Sequence, residues 1–440
     1  MNKFLRFLPT GSIILAMTTF ASYGAGLWRD RIFAQSFGAS RSLDAYNAAF
    51  LLPDLLFNIF IASGIAAAFV PIISPLLKSD RKRAEEYLGT VITGAMGAMT
   101  LSALVIIVFA GQISALVAPG FAPEDQLLVT KLLRYLALSP IIFSASNALG
   151  ALLIVERRFL YYGLSPVLYN LGIIFGTIFL SARFGIMGAV WGTLLGALLH
   201  LSVRLFDVLR SGFKLKWSFY PKRPEFKKTL SLMLPKMFGH PVELATFWAF
   251  TIVASHLEPG SVAILNFARN FESVPVSLIG ITIATTTFPL LARSVADGTI
   301  ESFRKALRTS FWLILGGSIF AAIVIFLIRE PLIRIILGGG AFDQESVART
   351  ALVLGVFTLA MPTESLVHLL ARAFYATKNT LIPVVLSIIG LVIAIGGAVY
   401  LTPRFGIVAL PFSFFLASLT ELILLLSLLP RRLRTVENTR

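Results

Sequence analysis

Apolar stretches of about 20 residues recur from one end of this chain to the other, and nothing else in the sequence constrains its fold so strongly. As a helix rising about 1.5 Å per residue, each is long enough to cross a hydrocarbon layer of roughly 30 Å. The composition agrees. Of the 440 residues, 57% are hydrophobic and 14% are charged, and the mean hydropathy is +0.84, which is more apolar surface than a water-soluble chain can hide. Lipid is then the solvent, and every backbone N–H and C=O has to be paired inside the protein. Helices and closed barrels meet that demand. The alternating pattern of barrel strands is absent, so the chain reads as an all-α integral membrane protein.

Twelve transmembrane helices are expected. The first six lie at 8–27, 46–76, 88–110, 127–152, 161–181 and 186–206, and the second six at 229–255, 261–291, 308–328, 348–371, 381–401 and 407–429. Lys3 and Arg6 before the apolar run from Ile13 resemble the start of a signal peptide, but without a clear small-residue cleavage pattern the segment reads as an uncleaved first helix. The expected organisation is a six-helix bundle over 1–210, a basic linker over 211–228, a second six-helix bundle over 229–430 and a basic tail over 431–440. Cysteine is absent, which excludes disulfides, a thiolate nucleophile and a Cys-based zinc site.

Cytoplasmic loops are enriched in Lys and Arg. With the amino terminus inside, the inner segments carry most of the 38 basic residues, including Lys78 to Arg83, Arg157, Arg158, the run from Arg204 to Lys228, Arg304 to Arg308 and the tail from Arg431. The opposite loops hold only Arg29, Arg31, Arg41, Arg183, Arg329, Arg334, Arg349 and Arg404. Both termini are therefore expected in the cytoplasm. The net charge of +16 follows from this asymmetry, because basic loops meet an anionic inner leaflet; anionic lipids are the expected partners and nucleic acid is not. The run from Lys214 to Lys228, with Trp217, Phe219 and Tyr220, reads as a linker resting on headgroups.

The chain also repeats itself. Phe69-Val70-Pro71 returns as Thr287-Phe288-Pro289, Leu136 to Pro140 as Thr358 to Pro362, and Arg183-Phe184-Gly185-Ile186 as Arg404-Phe405-Gly406-Ile407, at offsets of 218, 222 and 221 residues. Six helices per repeat is an even number, so the two bundles keep one orientation and are expected to relate by a pseudo-twofold axis along the membrane normal, around a central cavity. Many transporters use that design for alternating access.

Charges inside spans cost ~2.5 to 3.5 kcal/mol at a helix centre and usually face a cavity. Along the second helix Asp44, Asn47, Asp54 and Asn58 fall within about 80° of one another. Lys236, His240 and Glu243 share a face of the seventh, and Asn266, Arg269, Asn270 and Glu272 mark the eighth. Concentration in equivalent helices of both halves suggests a hydrophilic cavity lined by helices one, two, seven and eight, against the plainer reading of charges neutralised for packing. Glu364 and His368 read equally as a hydrogen-bonded pair or a proton site. His200 and His256 near helix ends read as interfacial. Lys131 and Arg134 sit where long side chains snorkel.

Ser22 to Asp30, Phe37-Gly38-Ala39, Asp44-Ala45, Leu52-Pro53-Asp54 and Ala68 to Pro71 resemble, in order and spacing, the opening of the MurJ/MviN lipid II flippases. Phe288-Pro289-Leu290 and Gly340 to Asp343 resemble matching parts of the second half, so the likeness covers essentially all twelve spans. The resemblance implies the multidrug/oligosaccharidyl-lipid/polysaccharide exporter fold and a cationic cavity in a bacterial inner membrane. The implied cargo is lipid II, a polyprenyl-pyrophosphate-linked sugar carrying the peptidoglycan building block. Arg29 matches a cavity arginine of the family and Asp44 a family aspartate. Tyr23, Phe57 or Asn58, and Asn270 stand where the family has arginines, and Ser63 where it has an acid. The expected headgroup contacts are Arg29, Arg269, Asp44, Asn58, Asn270 and Lys236. Asp54, Glu243 and Glu272 are the expected coupling sites for a proton or monovalent ion, and no resident cofactor is called for. The alternatives are a flippase for another polyprenyl-linked saccharide and a small-molecule antiporter of the same architecture. A membrane enzyme is disfavoured by short loops without a metal-ligand cluster.

Overall fold

The structure, a computed structural model, describes the backbone of residues 10–62, 65–239 and 241–438, and their side chains except at 10, 12, 62, 65–67, 235–239, 241 and 435–438. Lys3, Arg6, Ser63, His240 and Arg440, and the side chain of Lys236, lie outside the described residues. By its internal contacts the chain divides into two units, Met1–Pro241 and Val242–Arg440.

In chain order the helices are α1 (Thr10–Phe37), α2 (Arg41–Phe57), α3 (Ile65–Ser79), α4 (Arg81–Val108), α5 (Ala110–Val117), α6 (Pro123–Leu136), α7 (Ser139–Val155), α8 (Phe159–Phe184), α9 (Ile186–Arg210) and α10 (Pro224–Gly239). They continue with α11 (Pro241–Ser255), α12 (Ser261–Pro275), α13 (Thr282–Ala296), α14 (Ile300–Ile336), α15 (Gln344–Ala376), α16 (Leu381–Phe405) and α17 (Ala409–Asn438). Among the described residues, eight helical stretches are long and apolar enough to cross a membrane. The protein is thus an all-helical multi-pass membrane protein.

Several expected spans are composite. The second and eighth are interrupted by π-helical turns, at Asn58–Ala62 and Val276–Ile281. Proline accounts for much of this: Pro53 precedes the first turn by five residues and Pro275 abuts the second, and a proline inside a helix lacks an N–H and crowds the carbonyl four residues back. The fourth expected span breaks at Ala137–Leu138, where Ser139 and Pro140 start a new helix, whereas its counterpart α15 runs unbroken through Pro362.

The repeat is written into the backbone. Asn58 and Val276, which open the π turns, are 218 residues apart. Arg157 and Lys378, 221 residues apart, are the non-glycine residues with positive φ among those described, at 58° and 57°. Each closes a helix by the same bond reaching back five residues, Arg158 N–H to Leu153 C=O at 2.8 Å and Asn379 N–H to Phe374 C=O at 3.1 Å, as in a Schellman cap. Gly185 and Gly406 take φ/ψ of 55°/−139° and 60°/−144° between paired helices, a region that only glycine occupies without strain.

In the first unit, α8 and α9 meet backbone to backbone. A Cβ on Gly172 would lie 2.4 Å from Gly196 Cα, and one on Gly176 2.3 Å from Gly192 Cα. Small residues permit this approach, which is how helices pack where lipid offers no hydrophobic drive. Phe69 stacks on Tyr87 at 5.3 Å, and the Tyr87 hydroxyl meets Thr229 at 2.6 Å, so α10 packs with this unit. The segment read as a linker is a strap pinned along α4. Lys214 N–H donates to Glu85 at 3.1 Å, Ser218 Oγ to the Glu86 carbonyl at 2.9 Å and Tyr220 N–H to Thr90 Oγ1 at 3.3 Å. His200 and Arg204, expected at an interface and in a basic loop, are both buried in α9 instead. His200 meets Ser146 Oγ at 2.8 Å, and Arg204 bonds Ser165 Oγ at 2.8 Å and the Ser146 carbonyl at 3.0 Å while lying over the Tyr162 ring. The spacing that suggested a helix end could not register that hydroxyls and a ring wait on α7 and α8.

The second unit is organised around α15, against which α12, α13, α14 and α17 pack. Leu366, Leu369, Leu370, Ala373 and Phe374 of α15 form its core with Phe303, Ile314 and Leu425. Gly406→Ala and Gly185→Ala should each lower stability by about 1–3 kcal/mol, seen as a lower Tm of the purified protein. Gly396→Ala, at a helical position with open space around the added methyl, should leave Tm unchanged or raise it. Equal effects at all three would contradict the conformational requirement.

Candidate functional site

Each unit gathers its polar side chains into a different arrangement. In the first unit Arg29, in α1, donates to Asp30 Oδ1 from Nε at 3.0 Å and from Nη2 at 2.7 Å, and from Nη1 to Asn170 Oδ1 at 3.2 Å. Asn170 is anchored in turn by its amide on the Pro166 carbonyl at 3.0 Å. The guanidinium is therefore fixed from two helices, while these bonds leave two of its five N–H donors open. Its side chain stays 26% exposed, against 5% for Asp30. That combination, a held cation with donors to spare, suits a carboxylate or phosphate oxyanion.

Asp44 lies elsewhere. It is fully buried in the first turn of α2, 3.6 Å from Arg41, which also approaches Asp125 at 3.7 Å and lies 4.5 Å over the Phe121 ring. This cluster ties the start of α2 to the region of α5 and α6, and the carboxylate suits the helix N-terminus. Asp54 and Asn58 are at the π turn, where the Asn58 amide donates to the Asp54 carbonyl at 2.9 Å. Asp54 borders a cavity of about 160 Å³ with Phe50, Phe57, Phe143 and Tyr169.

The second unit closes its arginine off. Arg269 of α12 is gripped by Glu364 of α15 in a two-pronged pair, Nη1 to Oε2 at 2.9 Å and Nη2 to Oε1 at 2.8 Å. It also meets Glu243 of α11 at 2.8 Å and Glu272 one turn along its own helix. Phe247 and Phe414 cover the guanidinium, their ring centres 4.7 and 5.0 Å away. Glu272 is fully buried and Glu364 nearly so, while Glu243 keeps 55% of its side chain exposed. Three carboxylates around one guanidinium carry surplus negative charge, which low-dielectric surroundings penalise unless a proton or cation joins them. Of the two readings of Glu364 and His368, the hydrogen-bonded pair does not form: Glu364 turns both oxygens to Arg269, and His368 Nε2 is buried without a partner among the described residues. Asn270 is half-buried beside Arg269.

Sequence spacing placed Arg269, Glu243 and Glu272 on polar faces, and the family resemblance alone singled out Arg29, counted by charge among the loops although it lies within α1; neither could pair them. Arg269 and Glu364 are 95 positions apart, Arg29 and Asn170 141, and Phe247 and Phe414 gave no signal among 37 phenylalanines. Breaking the buried pair with Glu364→Ala should destabilise by about 3–5 kcal/mol. Removing the exposed partner with Glu243→Ala should cost about 1 kcal/mol or less. Thermal unfolding in one detergent checks both, and equal losses would contradict this ranking.

Known proteins give the arrangement its context. The family model described as lipid II flippase MurJ matches residues 33–439. A probable lipid II flippase MurJ of Borreliella burgdorferi is 27% identical over 410 residues, covering 93% of this chain and 80% of that protein. One from Aquifex aeolicus is 25% identical over 425 residues, covering 96% and 83%. Among solved structures, lipid II flippase MurJ in an inward closed conformation superposes with a TM-score of 0.82 at 25% identity, covering 97% of this chain and 90% of that one. An inward-facing MATE family multidrug resistance transporter of the MOP superfamily superposes with a TM-score of 0.80 at 16% identity, covering 97% and 99%, and shares the fold. The chain belongs to the MurJ lipid II flippase family, whose members are membrane transporters of peptidoglycan biosynthesis and not enzymes.

Proposed function

We propose that this chain is itself a lipid II flippase, moving undecaprenyl-pyrophosphate-linked peptidoglycan precursor from the inner to the outer leaflet of a bacterial inner membrane by alternating access. The observation that carries this reading is the Arg29 guanidinium, positioned by Asp30 and Asn170 with donors left over. A pyrophosphate presents charge and paired oxygens that such a fork binds two at a time. Arg269 was expected as a second contact, but its donors point at three carboxylates, which leaves the pyrophosphate to Arg29. Asn58, Asn270 and Lys236 are retained as secondary headgroup contacts, and Asp44 as a support for the start of α2. The reading uses the twelve spans, the two six-helix bundles with their central cavity and the cytoplasmic termini expected from the sequence, and the long apolar tail stays in lipid.

Return of the empty carrier requires a bias, because a ligand shifts an equilibrium only by its differential affinity for the two states. The cluster of Glu243, Arg269, Glu272 and Glu364 supports a coupling role: opening it would free acids to take up a proton or monovalent cation. Asp54 is the corresponding acid of the first unit. Tyr23 and Asn270, standing where the family has arginines, favour as a second reading a flippase for another polyprenyl-linked saccharide.

In cells depleted of their own lipid II flippase, the wild-type chain should restore growth, Arg29→Ala should fail at equal membrane abundance, and Arg29→Lys should restore it partly, since an ammonium lacks the fork. Full rescue by Arg29→Ala would remove Arg29 from the headgroup contact. Failure of the wild type would turn the cargo toward the second reading.

A further inference from the structure

We infer that the first unit holds a binding pocket for a small organic ammonium cation, built from Asp54 beside a wall of aromatic side chains. The cavity of about 160 Å³ is walled by Phe50, Phe57, Phe143 and Tyr169, and Asp54 is its ionisable acid. Phe143 is the hub of the wall, 5.8 Å from the Phe57 ring and 5.1 Å from Tyr169, which it meets at 78°. Aromatic ring faces attract cations.

The charge argument is independent of the rings. Asp54 forms no ion pair with any described residue, and its neighbour Asn58 supplies an amide, not a charge. Arg29, the basic member of the unit's other polar site, is already matched by Asp30. The other polar groups lining the cavity, the hydroxyls of Ser139 and Tyr169, are uncharged donors and acceptors. A carboxylate in a membrane-embedded bundle faces a cavity or a charged partner; Asp54 is exposed beside its cavity, and the second unit shows a partner supplied internally, with Arg269 under two adjoining phenylalanines and against its acids. At Asp54 the first unit has the acid and the rings with no described arginine paired to it. Pockets for drug-sized molecules run to roughly 300–1,000 Å³; this cavity of about 160 Å³, with Asp54 exposed at its edge, holds the ammonium end of a guest. The proposal goes beyond the flippase reading and does not need it: the ammonium is either a free organic cation or a group borne by the transported molecule.

The test uses the full chain in nanodiscs, with binding followed by titration calorimetry. Choline and tetramethylammonium should bind saturably, and 3,3-dimethylbutan-1-ol, the neutral isostere of choline, at least about tenfold more weakly. Asp54→Asn should cost at least about tenfold in choline affinity, and Phe143→Leu should weaken it while Tm reports an intact fold. If Asp54→Asn does not fold, Phe143→Leu and the isostere carry the decision. Equal binding of choline and its isostere, wild-type affinity in Asp54→Asn, or no saturable binding of either ammonium would overturn the proposal. Competition by lipid II that disappears when its amino groups are acetylated would identify the ammonium as the cargo's. Saturable choline binding indifferent to lipid II would identify a free cation and leave the pocket standing whatever the flippase reading's fate.

Discussion

The absence of water from the bilayer core governs this molecule. Backbone groups must be satisfied within helices, and charged side chains must find partners inside the protein or leave a debt that a ligand settles. Most of the intramembrane charges here are settled locally. Arg269 is enclosed by Glu243, Glu272 and Glu364, Asp44 lies against Arg41, and Arg204 uses serine oxygens and a tyrosine ring. In the first unit two described groups stand out: Arg29, which keeps open donors beside its partner Asp30, and Asp54, which borders an aromatic cavity without an ion pair. They belong to one unit, and they carry opposite charge.

The same constraint shaped the two repeats differently. Their backbones agree in detail, down to matching π turns, matching glycines at Gly185 and Gly406, and positive φ at Arg157 and Lys378. Their polar chemistry does not agree. One unit leaves space beside its π turn, and the other fills the neighbourhood of its π turn with a saturated guanidinium. π turns often mark functional sites because they loosen helix pairing locally, and a repeat that keeps the turn while changing the side chains has kept a mechanical feature and divided the chemistry.

The fold class and the repeat were legible because both depend on long patterns: apolar runs of membrane length, and Arg183-Phe184-Gly185-Ile186 returning as Arg404-Phe405-Gly406-Ile407. Polar faces were legible too, since Arg269 and Glu272 stand one turn apart. Partners were not. A helix face tells where a side chain points, and whether it meets Glu364 or open space depends on a segment 95 residues away. His200 and Arg204 show the same gap, as does the strap from Lys214 to Tyr220, whose basic residues suggested a linker resting on headgroups while its backbone bonds Glu85 and Thr90. The aromatic wall around Asp54 was hidden for another reason: in so phenylalanine-rich a chain no single ring stands out.

The account rests on Arg29 being the group that holds the pyrophosphate. Binding of undecaprenyl pyrophosphate to the purified chain in nanodiscs tests this without transport, coupling or cell growth in the way. Charge-assisted hydrogen bonds contribute about 1.5–3 kcal/mol, so Arg29→Gln should weaken binding by about tenfold or more with Tm preserved. Undiminished affinity in that variant would contradict the account and return the headgroup to other residues.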